Sequence, residues 1–159
     1  MEEYVIRPIG HVEAHEDGSA TLRIDEPYRA GLRGLDGFGH LEVLWWSHLA
    51  DADELRGLVD AGRPYVGLDY DLGIFATRSP MRPNPVSLTA VEVGAIDVEA
   101  GTVETPYLDA EDGTPLVDLK PYTPSIDRIA TPRVPAWCAN WPNDVETSGQ
   151  FDWGAVFRF

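Results

Sequence analysis

The sequence predicts a mainly β fold, a barrel or sandwich with one or two short helices and an irregular C-terminal arm. Three observations carry this. Turn residues are dense, 15 Gly and 13 Pro in 159 residues, and leave little room for long helices. Short apolar runs recur between those turns at strand length. Residues 51–62 are the best helix candidate.

Residues 4–12 read as an opening strand, with Pro8 near an edge. Glu16-Asp17-Gly18-Ser19 is a turn, and residues 20–24 form a second short strand. Residues 41–46 are an apolar run broken only by Glu42, as in a buried strand. In residues 51–62, Asp51 or Asp53 can cap a helix whose face is Leu55, Leu58 and Val59, ended by Gly62 and Pro64. Residues 73–77 and 86–98 read as strands. Residues 102–108 and 115–119 are further strands around an Asp112-Gly113 turn. Residues 127–150, rich in Pro, Trp and Asn, read as irregular, and residues 151–159 as a closing strand or a partner contact. The resulting division is one domain over residues 1–130 and an arm over 131–159 that packs on it or on a dimer partner.

Composition narrows the function. A single cysteine, Cys138, excludes an intrachain disulfide and a Cys-based zinc site. The histidines show no metal-ligand spacing, so no metal is expected. The N-terminus has no basic or apolar leader pattern, and no run is long and apolar enough to span a bilayer. A cytoplasmic, soluble chain without membrane association is expected. Twenty-seven acidic residues face twelve basic ones, for a net charge of −15, and Lys120 is the only lysine. This is the composition of a halophilic protein working where screening shrinks to about 3 Å at 1 M salt. A genome that prefers arginine codons gives the same bias. Either origin argues against nonspecific nucleic-acid binding through a broad basic face, so any such site must be a local cluster of arginines.

The densest chemical run spans residues 73–85, Gly-Ile-Phe-Ala-Thr-Arg-Ser-Pro-Met-Arg-Pro-Asn-Pro. Its prolines restrict the backbone before any ligand arrives, which lowers the entropy cost of binding. Arg78 and Arg82 offer planar forks for a carboxylate or phosphate. Asn84 can read an adenine edge or cap a turn. A rigid turn with two surface arginines is the alternative reading. A second run, residues 108–122, contains Asp112-Gly113 and then Asp118-Leu119-Lys120. On a strand Asp118 and Lys120 share a face, and the only lysine there points to a need for a compact, tunable ammonium. A third run, residues 33–48, ends in Trp45-Trp46-Ser47-His48; its histidines alone carry no catalytic claim.

Together these runs resemble the TsaA/TrmO family, S-adenosylmethionine (SAM)-dependent tRNA methyltransferases. The family's pattern stands here as Leu32-Arg33-Gly34-Leu35-Asp36-Gly37-Phe38 with His40-Leu41, then Phe75-Ala76-Thr77-Arg78-Ser79-Pro80 with Arg82-Pro83-Asn84-Pro85. It continues as Leu108-Asp109, Asp112-Gly113-Thr114-Pro115 and Asp118-Leu119-Lys120-Pro121-Tyr122. The resemblance implies a small TsaA-like β-barrel and a homodimer with SAM near the subunit interface. It implies tRNA as partner, with the N6-threonylcarbamoyladenosine beside the anticodon as methyl acceptor. By matched position, SAM contacts fall on His48, Leu49, Arg78, Leu88 and the stretch Pro106, Tyr107, Leu108, Asp109. Where many members have Ile-Gly after the last proline, this chain has Val86-Ser87. The resemblance also implies, in many members, a C-terminal domain that helps hold tRNA; here residues 131–159 are expected to form only an arm.

The expected division of labour follows. Arg78 grips the methionine carboxylate, and Asp109 or its neighbours contact ribose or adenine. Arg82, Asn84 and Asp112 are candidate substrate contacts. Asp118 or Tyr122 takes the acceptor's proton, with Lys120 tuning their pKa. A SAM-dependent enzyme acting on a small metabolite and a SAM-binding module without turnover are the alternatives.

Overall fold

The structure is a computed structural model that describes residues 4–158. Its core is an antiparallel sheet built from alternating strands. β1 (Gly10–Ala14) runs against β2 (Ala20–Ile24), with Gly10 opposite Ile24 and Val12 opposite Leu22. The tight turn between them places Asp17 as acceptor for the Ser19 amide and hydroxyl. β3 (His40–Trp46) buries Leu41, Val43 and Trp45 and turns Glu42, Leu44 and Trp46 to its other face. A four-residue helix, α1 (Asp53–Arg56), precedes a small hairpin of β4 (Asp60–Gly62) and β5 (Leu72–Gly73). β6 (Val86–Glu92), β7 (Ile96–Asp97), β8 (Thr102–Thr105) and β9 (Pro115–Pro121) complete the large sheet. Its order is β6-β3-β9-β1-β2-β8-β7.

No ladder joins the two ends of that order among the described residues, so the expected barrel is not closed by strand pairing. Both edges nevertheless come from one bent stretch. After β6 the Val93 amide still donates to Gly39; the next residue, Gly94, donates to the Glu104 carbonyl at 2.7 Å. A Cβ on Gly94 would stand 2.9 Å from that oxygen, so the crossing needs glycine.

The core of this sheet holds Val12, Leu22, Leu41, Val43, Val103 and Leu116, all fully buried. A second, aromatic cluster sits under the small hairpin. Tyr65, Leu68 and Leu72 are covered by Trp137, Trp141 and Phe157 from the C-terminal arm, with Tyr65 stacked on Trp137 at 4.8 Å.

Several expectations are corrected. The opening strand starts at Gly10, not residue 4. The helix expected over 51–62 stops at Arg56: Val59 is exposed, and Asp60–Gly62 is taken by the ladder to Leu72–Gly73. The strand expected over 73–77 is only its first residue, Ile74–Ala76 being a 3-10 turn. The strand expected over 86–98 is split at the crossing, and that over 102–108 ends at Thr105. The closing strand expected over 151–159 is a single bridge between Tyr65 and Phe157, flanked by Val66 donating to Val156 and Arg158 donating to Pro64; Phe159 lies outside the described residues.

Candidate functional site

The proline-rich loop is fixed by local turns before it meets the sheet. The Thr77 hydroxyl donates to the Ile74 carbonyl at 2.8 Å and accepts from the Ser79 amide; the Ser79 hydroxyl in turn accepts from the Met81 amide. Buried Pro85 takes the Ser47 amide on its carbonyl at 2.7 Å, which ties the loop to the end of β3. Arg56 of α1 donates to the Pro83 carbonyl and lies over the Trp46 ring. The loop is thus tied to the end of β3 directly through Pro85 and indirectly through Arg56 of α1.

This framework encloses a cleft of about 670 Å³, a common size for a small-molecule site. Trp45, Leu49, Leu55 and Val86 give it apolar walls. Arg78 and Arg82 supply cations, and Asp109 and Glu111 supply carboxylates. The Ser47 and Ser87 hydroxyls bond each other at 2.7 Å across β3 and β6, and Thr114 bonds His48 Nδ1 at 3.4 Å. An elongated ligand with an anionic end, a polar middle and a flat apolar part matches this lining.

A second cleft, about 1190 Å³, lies on the other side of Arg78. Arg78, Leu88 and Thr89 line both clefts. The Arg78 guanidinium donates to the Leu88 carbonyl, which pins it into this shared wall. His40 and Glu42 from β3, Ala90 from β6, Tyr122 and residues 127–132 and 143–147 of the arm form the rest. His40 and Tyr122 meet edge to face at 6.3 Å. Burial, and then the Asp127 charge, push the Glu42 carboxyl above the usual carboxylate range; Arg78 pulls the other way.

The residues singled out from sequence distribute unevenly over this geometry. His48, Leu49, Arg78, Leu88, Asp109 and Arg82 line the first cleft. Tyr107 is exposed beside that stretch, Leu108 is buried in the core, and Pro106 lines neither cleft. Asn84 is exposed and accepts the Val86 amide on its carbonyl; Asp112 accepts the Ala14 amide and so braces the turn against β1. Tyr122 lines the second cleft. Asp118 and Lys120 line neither and pair with each other at 2.5 Å. Sequence reasoning assigned no role to Glu42, Ser47 or Ser87. For Glu42 the signal was present, a lone charge inside an apolar strand. For the two serines, brought together across a ladder, there was none.

This geometry places the chain among small β proteins with a ligand cleft at the rim of an antiparallel sheet. More narrowly, residues 8–128 match the model of the tRNA-methyltransferase O N-terminal domain, and the chain belongs to that family. It is 34% identical over 138 residues to an S-adenosyl-L-methionine-binding protein of Archaeoglobus fulgidus, covering 79% of this chain and 94% of that one. It is 35% identical over 118 residues to the tRNA (adenine(37)-N6)-methyltransferase of Escherichia coli, covering 72% of this chain and 49% of that enzyme. The solved TrmO of Pseudomonas aeruginosa superposes with a TM-score of 0.63 at 26% identity, over 83% of this chain and 62% of that one. The chain therefore spans about half of the E. coli enzyme and three-fifths of the solved TrmO.

Proposed function

We propose that this protein binds SAM in the first cleft and transfers its methyl group to N6 of a threonylcarbamoyladenosine beside a tRNA anticodon. The observation that carries the reading is a cleft lined by Arg78, Arg82, Asp109 and Glu111 beside apolar walls, in a chain whose relatives include a SAM-binding protein and a tRNA methyltransferase. The residues fit the cofactor. The fork of Arg78, anchored on Leu88, keeps donors for the methionine carboxylate. Asp109 and Glu111 suit the ribose hydroxyls, and Trp45, Leu49 and Leu55 suit the adenine. When bound, SAM supplies an electrophilic methyl on a sulfonium. The chain's own task is to hold donor and acceptor in line, which accounts for a rigid loop.

The chain is read as a homodimer in the cytoplasm. Leu49, Phe75 and Tyr107, all more than 60% exposed near this cleft, support a partner there. The bent stretch that supplies both sheet edges supports the barrel of the family. The net charge of −15 supports work at high salt. No helix among the described residues is long and apolar enough to cross a membrane, and no cluster of His, Cys, Asp or Glu among them could hold a metal.

Titration of SAM into the chain at multimolar salt, followed by methyl incorporation into unmodified tRNA, tests the reading. Binding with tRNA-dependent transfer is expected. Transfer that ignores tRNA points to a small acceptor, binding without S-adenosylhomocysteine to a module without turnover, and no binding removes the reading.

A further inference from the structure

Resting on that methyltransferase reading, we propose that the second cleft receives the acceptor base and that the Glu42 carboxylate takes the proton from its nitrogen. The two clefts share one wall, Arg78 with Leu88 and Thr89. A donor in the first and a base in the second approach each other there and nowhere else among the described residues. Glu42 lines the second cleft and is half-buried, and its carboxylate accepts no hydrogen bond from the described residues. Its cross-strand partner is Lys120, whose ammonium is engaged by Asp118. The other charged or titratable groups of that cleft are Arg78 from the loop, which attracts, Asp127 from the helix Pro124–Asp127, which repels, Arg128, Asp144 and Glu146 from the C-terminal stretch, and His40 and Tyr122 at the rim. Burial first, and then the Asp127 charge, make this carboxylate more basic, against the pull of Arg78. His40 and Tyr122 offer the aromatic surface on which a base stacks.

The step balances without a further reactant. The acceptor nitrogen's lone pair bonds the methyl carbon while the carbon–sulfur pair returns to sulfur. The positive charge passes to the nitrogen and leaves as a proton on Glu42, which later gives it to water. Asp118, bonded to Lys120 outside both clefts, is not placed to do this.

The test uses the full chain at high salt. Glu42→Gln is expected to bind SAM within twofold of wild type and to lose about 10²- to 10⁴-fold in kcat. Wild-type kcat should rise with pH through an acid limb that the variant lacks, with Glu42→Asp keeping the limb at reduced rate. Independently of turnover, N6-threonylcarbamoyladenosine titrated into the complex with S-adenosylhomocysteine should bind wild type, and Tyr122→Ala at least tenfold more weakly while SAM affinity holds. An active wild type whose Glu42→Gln variant keeps full rate and the same pH profile overturns the role of Glu42. Nucleoside binding that Tyr122→Ala leaves untouched overturns the cleft. A wild-type chain that binds SAM but transfers no methyl overturns the function itself, and this assignment with it.

Discussion

Glu42 and Lys120 stand opposite each other on β3 and β9, yet the Lys120 ammonium reaches along its own strand to Asp118, 2.5 Å away. A β-bulge sets this up. Leu44 pairs with Asp118 and Trp45 with Leu116, so Val117 is the extra residue. Beyond it, Asp118 and Lys120 share the face of Glu42, and the acid on β9 outcompetes the acid on β3.

The consequence is a pH dependence with a definite sign. Burial, reinforced by Asp127, raises the Glu42 pKa in the folded chain above its unfolded value. Such a group contributes stability that is complete below the unfolded pKa and is lost as pH rises through the folded one. Gln at this position imitates the protonated form at every pH. Glu42→Gln is therefore expected to be more stable than wild type at pH 7 and level with it below about pH 4. Urea melts of both chains at the two pH values check this. A variant less stable at pH 7 means that Glu42 has a structural partner.

Gly10 is the tightest point of the sheet. A Cβ added there would lie 1.9 Å from the Arg23 carbonyl oxygen, inside the β1–β2 ladder. Backbone cannot swing aside as a flexible side chain can. Gly10→Ala should cost at least the roughly 1–3 kcal/mol of an overpacked core, seen as a lower denaturation midpoint. Gly37→Ala, with open space around its Cβ position, is the control and should stay within about 0.5 kcal/mol of wild type.

The buried strand at Leu41–Trp46 was legible because its apolar residues alternate around one anomalous acid. The stiff loop was legible because prolines constrain their own neighbours. The helix over 51–62 was misread for the opposite reason. Leu55, Leu58 and Val59 have helical spacing, but no surface receives them as a helix, and β5 recruits residues 60–62 instead. The bulge at Val117 and the second cleft were not legible at all. One depends on register between distant strands, the other on residues 127–132 and 143–147 lining one cleft with β3 and β6.

Arg78 donates to the Leu88 carbonyl and lines both clefts, so its removal acts on two walls at once. A charge-assisted hydrogen bond contributes about 1.5–3 kcal/mol, or roughly 10- to 150-fold in affinity. Arg78→Ala is expected to weaken SAM by that factor in calorimetric titration. Arg78→Lys should recover only part, since it keeps the charge and loses the fork. Full affinity in Arg78→Ala would move the carboxylate anchor to Arg82, which lies over Phe75 at the same cleft.

The C-terminal arm offers a different handle. Cys138 is buried, its thiol donates to the Pro135 carbonyl at 3.4 Å, and burial pushes its pKa up. Only the thiolate reacts, so at neutral pH this cysteine should be nearly inert toward an aromatic disulfide reagent. Trp141, whose amide donates to the Cys138 carbonyl, meets Tyr65, Trp137 and Trp153 edge to face at 5.1–5.4 Å. Trp141→Ala removes the ring on which the other three converge. The arm should then open locally, while the sheet, whose core is a separate cluster, keeps its stability. Thiol labelling in the variant is expected to be at least about tenfold faster, with the main unfolding transition little changed. If labelling stays slow, the aromatic cluster does not hold the arm down. If the main transition falls together with faster labelling, arm and sheet unfold as one unit.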